Sequence, residues 1–260
     1  MNDYTLITGA TSGIGKELAK LFALNDDNLL LIARNEEALK DLENELKALN
    51  DKINVHIKPL DLTLETASSD LYSYAIQNNY NVTKLVNNAG YGDHNAFLTA
   101  NYEKQIKMIE LNIVALVKLC YLFGNQMKKN KKGKILNVAS VAGYLIGPYM
   151  ANYYATKNYV LSFSLALREE LKRDNITVTT LCPGPTKTSF EVRAEMKSKT
   201  MFHTLKVNEA SYVAQKAFKA MNKGKGIVDT GFVSKMGHFS SRLFSRRIIA
   251  KACKKINGAV

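Results

Sequence analysis

The sequence predicts an α/β fold, a single doubly wound domain whose parallel sheet of about seven strands is flanked by helices on both faces. Three observations carry this. Short apolar runs of strand length alternate with longer stretches of helical periodicity. The segments between them are only a few residues long. The chain has 260 residues, 46% hydrophobic and 23% charged, enough for one large core and unlike disordered or collagen-like sequences.

Taken in order, the first apolar run is 4–8, and it leads through a glycine-rich turn into a helical pattern over 13–24. Further strands are expected at 28–33, 53–58, 84–88, 134–139, 176–181 and 226–230. Helices are expected between them at 36–50, 64–79, 103–130, 153–173 and 209–222. Asn35 followed by Glu36 and Glu37 reads as a helix cap with acids placed favourably against the helix dipole. No repeat, low-complexity linker or break in composition precedes residue 230, so residues 1–231 are expected to form one domain and 232–260 a C-terminal extension.

The net charge is +13, and its location matters more than its size. Residues 232–260 carry seven Lys/Arg and no acid, so any argument for a charged partner must be made from this tail. No run approaches the length of a membrane-spanning helix, and the start MNDYTLITG has neither the basic nor the apolar region of a signal peptide. Cys120, Cys182 and Cys253 are odd in number and far apart, as free thiols in a reducing compartment are. The triplets at Asn81 and Asn175 that match a glycosylation signal are therefore taken as chance, and a cytoplasmic location is expected. His56, His94, His203 and His238 lack metal-ligand spacing, so no metal site is expected.

The first strand runs directly into Thr8-Gly9-Ala10-Thr11-Ser12-Gly13-Ile14-Gly15. Glycines at a strand-to-helix turn allow a tight reversal and close approach of backbone to a pyrophosphate, which then sits at the positive helix end. The plain alternative is a tight connection with no ligand. The end of the second strand should read the adenosine ribose, and it holds Ala33 and Arg34 where an NAD site would want an acid. Arg34 offers a planar fork suited to a 2′-phosphate, which favours NADP(H) over NAD(H). Against this, Arg34 is a solvated strand-end charge while Glu36 or Glu37 turns inward. Asp61, in Pro59-Leu60-Asp61-Leu62, is placed either to bind the adenine amino group or to cap a helix. Asn87-Asn88-Ala89-Gly90 ends the fourth strand, where a small turn lets backbone approach a cofactor.

A Tyr-x-x-x-Lys pair means little alone in a chain with 13 Tyr. Three occur, at Tyr80/Lys84, Tyr153/Lys157 and Tyr212/Lys216, and context separates them. Tyr153 and Lys157 open a helix and share one face, whereas Tyr154 is about 100° around it. Ser140 lies upstream at the mouth of the fifth strand, and Asn112 falls inside the preceding helix. Alone, Ser140 reads as a turn serine and Asn112 as a buried amide; their placement with Tyr153 argues for a site. Bringing a tyrosine from about 10 to neutrality requires roughly 4 kcal/mol. One cation about 4 Å away supplies roughly that at an effective dielectric near 20, so Lys157, helped by the positive nicotinamide of the oxidised cofactor, is expected to make Tyr153 a usable base.

With these residues in order, the sequence resembles the short-chain dehydrogenase/reductase family over roughly residues 4–230. The resemblance rests on Thr8–Gly15, Asp61, Asn87–Gly90, Asn112, Ser140, Tyr153/Lys157 and Pro183-Gly184 with Thr188. It implies a Rossmann-like domain that binds NAD(P)(H) and interconverts a carbonyl and an alcohol by hydride transfer. Tyr153 is then the acid/base, Lys157 the ribose ligand and tyrosine activator, Ser140 the carbonyl orienter and Asn112 part of a proton relay. The cofactor contacts it implies are Gly9, Thr11, Ser12, Gly13, Ile14, Gly15, Arg34, Asp61, Leu62, Asn88, Ala89, Gly90, Tyr153, Lys157, Pro183, Gly184, Thr186 and Thr188. It also implies a mobile lid after Gly184, and a homodimer or homotetramer formed through the helices at 103–130 and 153–173.

The segment 141–152, with Tyr144, Leu145, Ile146, Pro148, Tyr149 and Met150, is expected to line one wall of the site, and Phe190, Val192, Met196, Met201 and Phe202 to add apolar surface. A small hydrophobic carbonyl or alcohol substrate is therefore expected. The tail departs from the family pattern. Its apolar residues recur at three-to-four spacing between lysines and arginines, which reads as a basic amphipathic helix, broken near Gly237. It either docks on the protein's own cleft, the favoured reading, or attaches peripherally to an anionic membrane. Nucleic acid is not expected, since no aromatic-plus-basic strand motif accompanies it. The rivals to an enzyme are a non-enzymatic NADP-binding sensor or scaffold and a membrane-surface protein working through this tail. The first has no use for Ser140, Tyr153 and Lys157 together.

Overall fold

Successive residues of a strand point to opposite faces, and in this chain both faces are apolar. Leu6, Leu30, Leu85 and Ile135 therefore enter one core while their neighbours Ile7, Leu31, Val86 and Leu136 enter another. A sheet buried on both sides needs a helical layer on each. The computed structural model, which describes residues 2–188, 190, 194 and 207–258, has that arrangement.

The chain runs β1 (Asp3–Thr8), α1 (Gly13–Ala23), β2 (Asn28–Ala33), α2 (Glu36–Leu49), β3 (Val55–Pro59), α3 (Ala67–Gln77) and β4 (Asn81–Asn87). It continues through α4 (Tyr102–Ile109), α5 (Leu116–Lys129), β5 (Gly133–Val138), α6 (Ala151–Leu171) and β6 (Ile176–Pro183). After β7 (Thr186–Lys187) and β8 (Asn208–Glu209) come α7 (Ala210–Asn222), β9 (Ile227–Thr230), α8 (Gly231–Leu243) and α9 (Arg246–Asn257). The main sheet has seven strands in the order β3-β2-β1-β4-β5-β6-β9, every pair parallel. Helices α3, α5 and α6 cover one face through Leu71, Phe123 and Val160; α1, α2 and α7 cover the other through Phe22, Leu42 and Val213. The fold is the doubly wound one that the alternation of elements predicts.

Strand order reverses between β1 and β4, so the loops leaving these two strands diverge and open a crevice at their carboxyl ends. Everything chemical described below lies along that edge.

Three local departures from the sequence reading have physical causes. β3 reaches Pro59, one residue beyond the expected end; as an edge strand it tolerates a proline, which has no N–H to donate. The single helix expected at 103–130 is three pieces, because a π-helical turn over Glu110–Ala115 separates α4 from α5. The tail is two helices, and its break falls at Phe244 and Ser245, not at Gly237. Gly237 is a contact point within α8, where a Cβ would stand 2.5 Å from Val141 Cγ2.

Candidate active site

At the carboxyl edge of the sheet a cleft of about 1050 Å³ extends from Arg34 and Asp61, past the turn after β1, to Ser140, Tyr153 and Phe190. Its floor is the Gly9–Gly15 turn. Gly9 and Gly13 have φ of +64° and +54°, and a Cβ on Gly15 would overlap the Gly9 carbonyl, so the turn demands these glycines. Asn88 clamps it from β4: its Nδ2 donates to the carbonyls of Thr8 and Gly9, each at 3.0 Å. Thr8 Oγ1 in turn accepts from the N–H groups of Asn88 and Ala89. The first turn of α1 carries no acid, so its positive end meets the cleft unneutralised.

At the adenosine end, Arg34 is exposed on the cleft rim and makes no hydrogen bond or ion pair with the described residues. Glu36 does not turn inward; it pairs with Lys40 at 2.8 Å on the outside of α2. Asp61 Oδ1 accepts from both the N–H and the hydroxyl of Thr63, so it organises the turn before α3, and the residue lines the cleft.

At the other end, α6 presents Tyr153 and Lys157 to the cleft one turn apart. The Tyr153 hydroxyl faces the same cleft as Ser140, which follows β5. Ser140 Oγ accepts from Ala142 N at 3.1 Å, which fixes its rotamer at the start of a short helical turn. The Lys157 ammonium donates to the Val138 carbonyl at 2.8 Å and lies 5.9 Å from the centre of the Tyr153 ring. Burial lowers the Lys157 amine from 10.5 to about 8. Burial raises the Tyr153 hydroxyl to about 12, and the influence of Ser140 only partly opposes this. Among the groups of the chain itself, burial is the leading influence on Tyr153. Desolvation wins, and the cation spends its nearest hydrogen bond on a backbone carbonyl.

Asn112 lies on the π-helical turn, buried one layer behind the wall. Its Nδ2 donates to the Tyr91 carbonyl and to Thr156 Oγ1, and its Oδ1 accepts from Tyr91 N. One side chain on this turn satisfies both groups, and such turns recur at functional sites. Of the residues singled out from sequence, all the cofactor candidates line the cleft except Gly15, as do Ser140, Tyr153 and Lys157, while Asn112 and Gly15 support it from behind. The competing Tyr-Lys pairs lie elsewhere: Tyr80 stacks on His56, and Lys216 sits over the Tyr212 ring.

The apolar end takes less from 141–152 than expected, since Leu145, Ile146, Pro148 and Tyr149 do not line the cleft. Met150 and Phe190 line it, and a Cβ on Gly92 would stand 2.7 Å from Phe190 and 3.2 Å from Tyr153 and Met150. Tyr144 does not line the cleft: it stacks on His238 at 4.4 Å and donates to Asp229. Val192, Met196, Met201 and Phe202, and with them most of the expected lid, lie outside the described residues. Sequence reading missed Tyr91, Lys104, Lys107 and Asn257, all on the cleft wall. Asn257 arrives from the end of α9, which buries Ile249 and Cys253 against Ala142, Met150 and Tyr154. There its Nδ2 donates to the Pro148 carbonyl and its own carbonyl accepts from His94 Nε2. No sequence signal marks it, since its partners are over a hundred residues away. The three thiols are free and buried, and no group of residues able to hold a metal ion occurs among the described residues.

Comparison with known proteins agrees with this geometry. The profile of the short chain dehydrogenase family matches residues 3–200. Dehydrogenase/reductase SDR family member 7B of Mus musculus is 30% identical over 98% of this chain and 82% of its own. A very-long-chain 3-oxoacyl-CoA reductase of Coprinopsis cinerea is 34% identical over 67% of this chain and 52% of its own. A solved short-chain dehydrogenase from Sphingobium yanoikuyae in complex with NADPH matches with a TM-score of 0.82, covering 94% of each chain at 26% identity.

Proposed function

The chain belongs to the short-chain dehydrogenase/reductase family and is an oxidoreductase, and from that premise we propose that it uses NADP(H) to interconvert a hydrophobic carbonyl compound and its alcohol. One observation carries the reading: a single cleft joins a glycine turn at a helix N-terminus, with Arg34 beyond it, to Ser140, Tyr153 and Lys157. The residues fit the dinucleotide. The turn and the α1 N-terminus suit a pyrophosphate, and the unpaired guanidinium of Arg34 suits a 2′-phosphate. Asp61 and Leu62 would flank the adenine, Asn88, Ala89 and Gly90 the ribose, and Pro183, Gly184, Thr186 and Thr188 the nicotinamide end. NADPH in the Sphingobium complex lends support to this choice.

When bound, the cofactor supplies or accepts the hydride. Tyr153 gives its hydroxyl proton to the carbonyl oxygen in reduction, and its raised pKa keeps that proton available at neutral pH. Ser140 orients the same oxygen and stabilises the charge that develops on it. Lys157, fixed through the Val138 carbonyl, would bind the nicotinamide ribose and place a cation behind Tyr153. Asn112 holds the Tyr91 backbone and Thr156 and so positions the wall that Tyr153 and Lys157 share.

Met150, Phe190 and Tyr154 around the apolar end support an apolar substrate, as does the resemblance to a protein named for very-long-chain 3-oxoacyl-CoA. Exposed Tyr102 and Ile106 on α4, Tyr121 on α5 and Tyr159 on α6 support self-association through those helices. The free, buried thiols support a reducing, cytoplasmic location. The test is to follow NADPH and NADH oxidation against a panel of apolar aldehydes, ketones and quinones, with Tyr153→Phe as control. Turnover with NADPH that is abolished in Tyr153→Phe is expected. Cofactor binding without turnover of any compound favours the sensor reading, and a preference for NADH refutes the role given to Arg34.

A further inference from the structure

The tail packs on the protein with one side and leaves the other uncovered by the described residues. Around α8 successive residues are about 100° apart, so Phe232, Met236, Phe239 and Leu243 fall within an arc of about 60°. Buried Ser234 and Gly237 lie on the opposite side, against Cys182 and Val141. The outward row is 74%, 49%, 64% and 61% exposed, in chain order, and no described residue covers it. Phe244 and Ile248 extend it across the break into α9. Lys235 and Arg242 flank the row on α8; on α9, Arg247, Lys251, Lys254 and Lys255 are exposed on the side turned from Ile249, Cys253 and Asn257.

Four large apolar side chains in register on one exposed helix face are not scattered surface hydrophobes; they mark a docking surface. Charge says what docks. Residues 232–260 hold seven Lys/Arg and no acid. A symmetric contact with a second copy of the chain would bring two such segments together and repel. Nucleic acid would match the charge but has no use for the apolar row. An anionic bilayer surface satisfies both, taking the apolar row into the acyl boundary and the cations among its headgroups.

We propose that α8 and the outer face of α9 dock the protein on anionic membrane surfaces, with Phe232, Met236, Phe239 and Leu243 inserted and the tail cations at the headgroups. This contact is peripheral, since no helix among the described residues is long and apolar enough to cross a membrane. It does not depend on the oxidoreductase reading. The inner face of α9 stays packed beside the cleft, so the tail serves the cleft and the bilayer with different sides of the same helices.

The experiment is co-sedimentation of the full chain with vesicles of phosphatidylcholine alone and with roughly a third phosphatidylglycerol. Binding to the anionic vesicles, weakened at least about tenfold without phosphatidylglycerol and falling as salt rises, is expected. The double variant Phe232→Ser/Phe239→Ser should lose at least about tenfold in that affinity while keeping its circular dichroism and NADPH binding. Failure of the wild type to bind anionic vesicles overturns the proposal, as does equal binding by the double variant. Molar mass in solution is measured in parallel. If the wild type is larger than the double variant and ignores vesicles, a second copy covers this face and the proposal is wrong.

Discussion

Lys157 is a buried cation whose amine is lowered from 10.5 to about 8, with desolvation as the first cause. In an unfolded chain the same amine titrates near its ordinary value. Below pH 8 both states are protonated, and the folded state carries the full desolvation penalty, about 3 kcal/mol for a shift of this size. Between 8 and 10.5 the unfolded state binds more protons than the folded one, so stability attributable to Lys157 rises with pH. Replacement by methionine removes the titration, leaving the Val138 carbonyl without its donor at every pH. That second loss is independent of pH and cancels from the comparison, as does any ionisation of Tyr153. Unfolding free energies of wild type and Lys157→Met, from guanidinium titrations without cofactor at pH 7 and 9.5, should therefore diverge. Wild type is expected to gain about 2 kcal/mol on the variant over that interval. A difference that stays constant, or that moves the other way, refutes the claim that the amine is desolvated.

Four further outcomes follow from the site. Tyr153→Phe should lower kcat by about 10²–10⁴ while leaving NADPH affinity, measured by fluorescence, unchanged. Arg34→Ala should raise the KM for NADPH about tenfold and leave that for NADH nearly unmoved, because an exposed guanidinium contributes only modestly. Thr156→Val removes the acceptor of the Asn112 amide in a buried position and should destabilise by about 1–3 kcal/mol in denaturant melts. Gly237→Val drives a side chain into Val141 and should cost about 1–3 kcal/mol in the same assay, loosening α8.

The doubly wound sheet was legible because its information is local. Strands such as 28–33 and 134–139 are apolar on both faces, and a helical pattern of the right length follows each. The cleft residues were legible where they stand at strand ends, since parallel strands all deliver their carboxyl ends to one edge: Gly9, Arg34, Asp61, Asn88, Ser140 and Pro183 needed only their place in the alternation. The spacing of Tyr153 and Lys157 likewise follows from one helix turn. What local information does not weigh is energetic. Proximity suggested that Lys157 depresses Tyr153, but the balance between attraction and desolvation depends on what surrounds both groups, and here burial prevails.

The tail shows where local information ends. Its three-to-four spacing establishes amphipathic helices and its charge establishes a cationic surface, whatever the rest of the chain does. Which side faces in is not a property of those residues. Gly237 looked like a hinge and is a packing contact, because Val141 stands against it. Asn257, which no sequence signal singles out, is a cleft residue, because His94, Pro148 and Tyr154 converge on it. Periodicity and strand-end position are written along the chain, whereas desolvation and the choice of buried face arise only when distant segments meet.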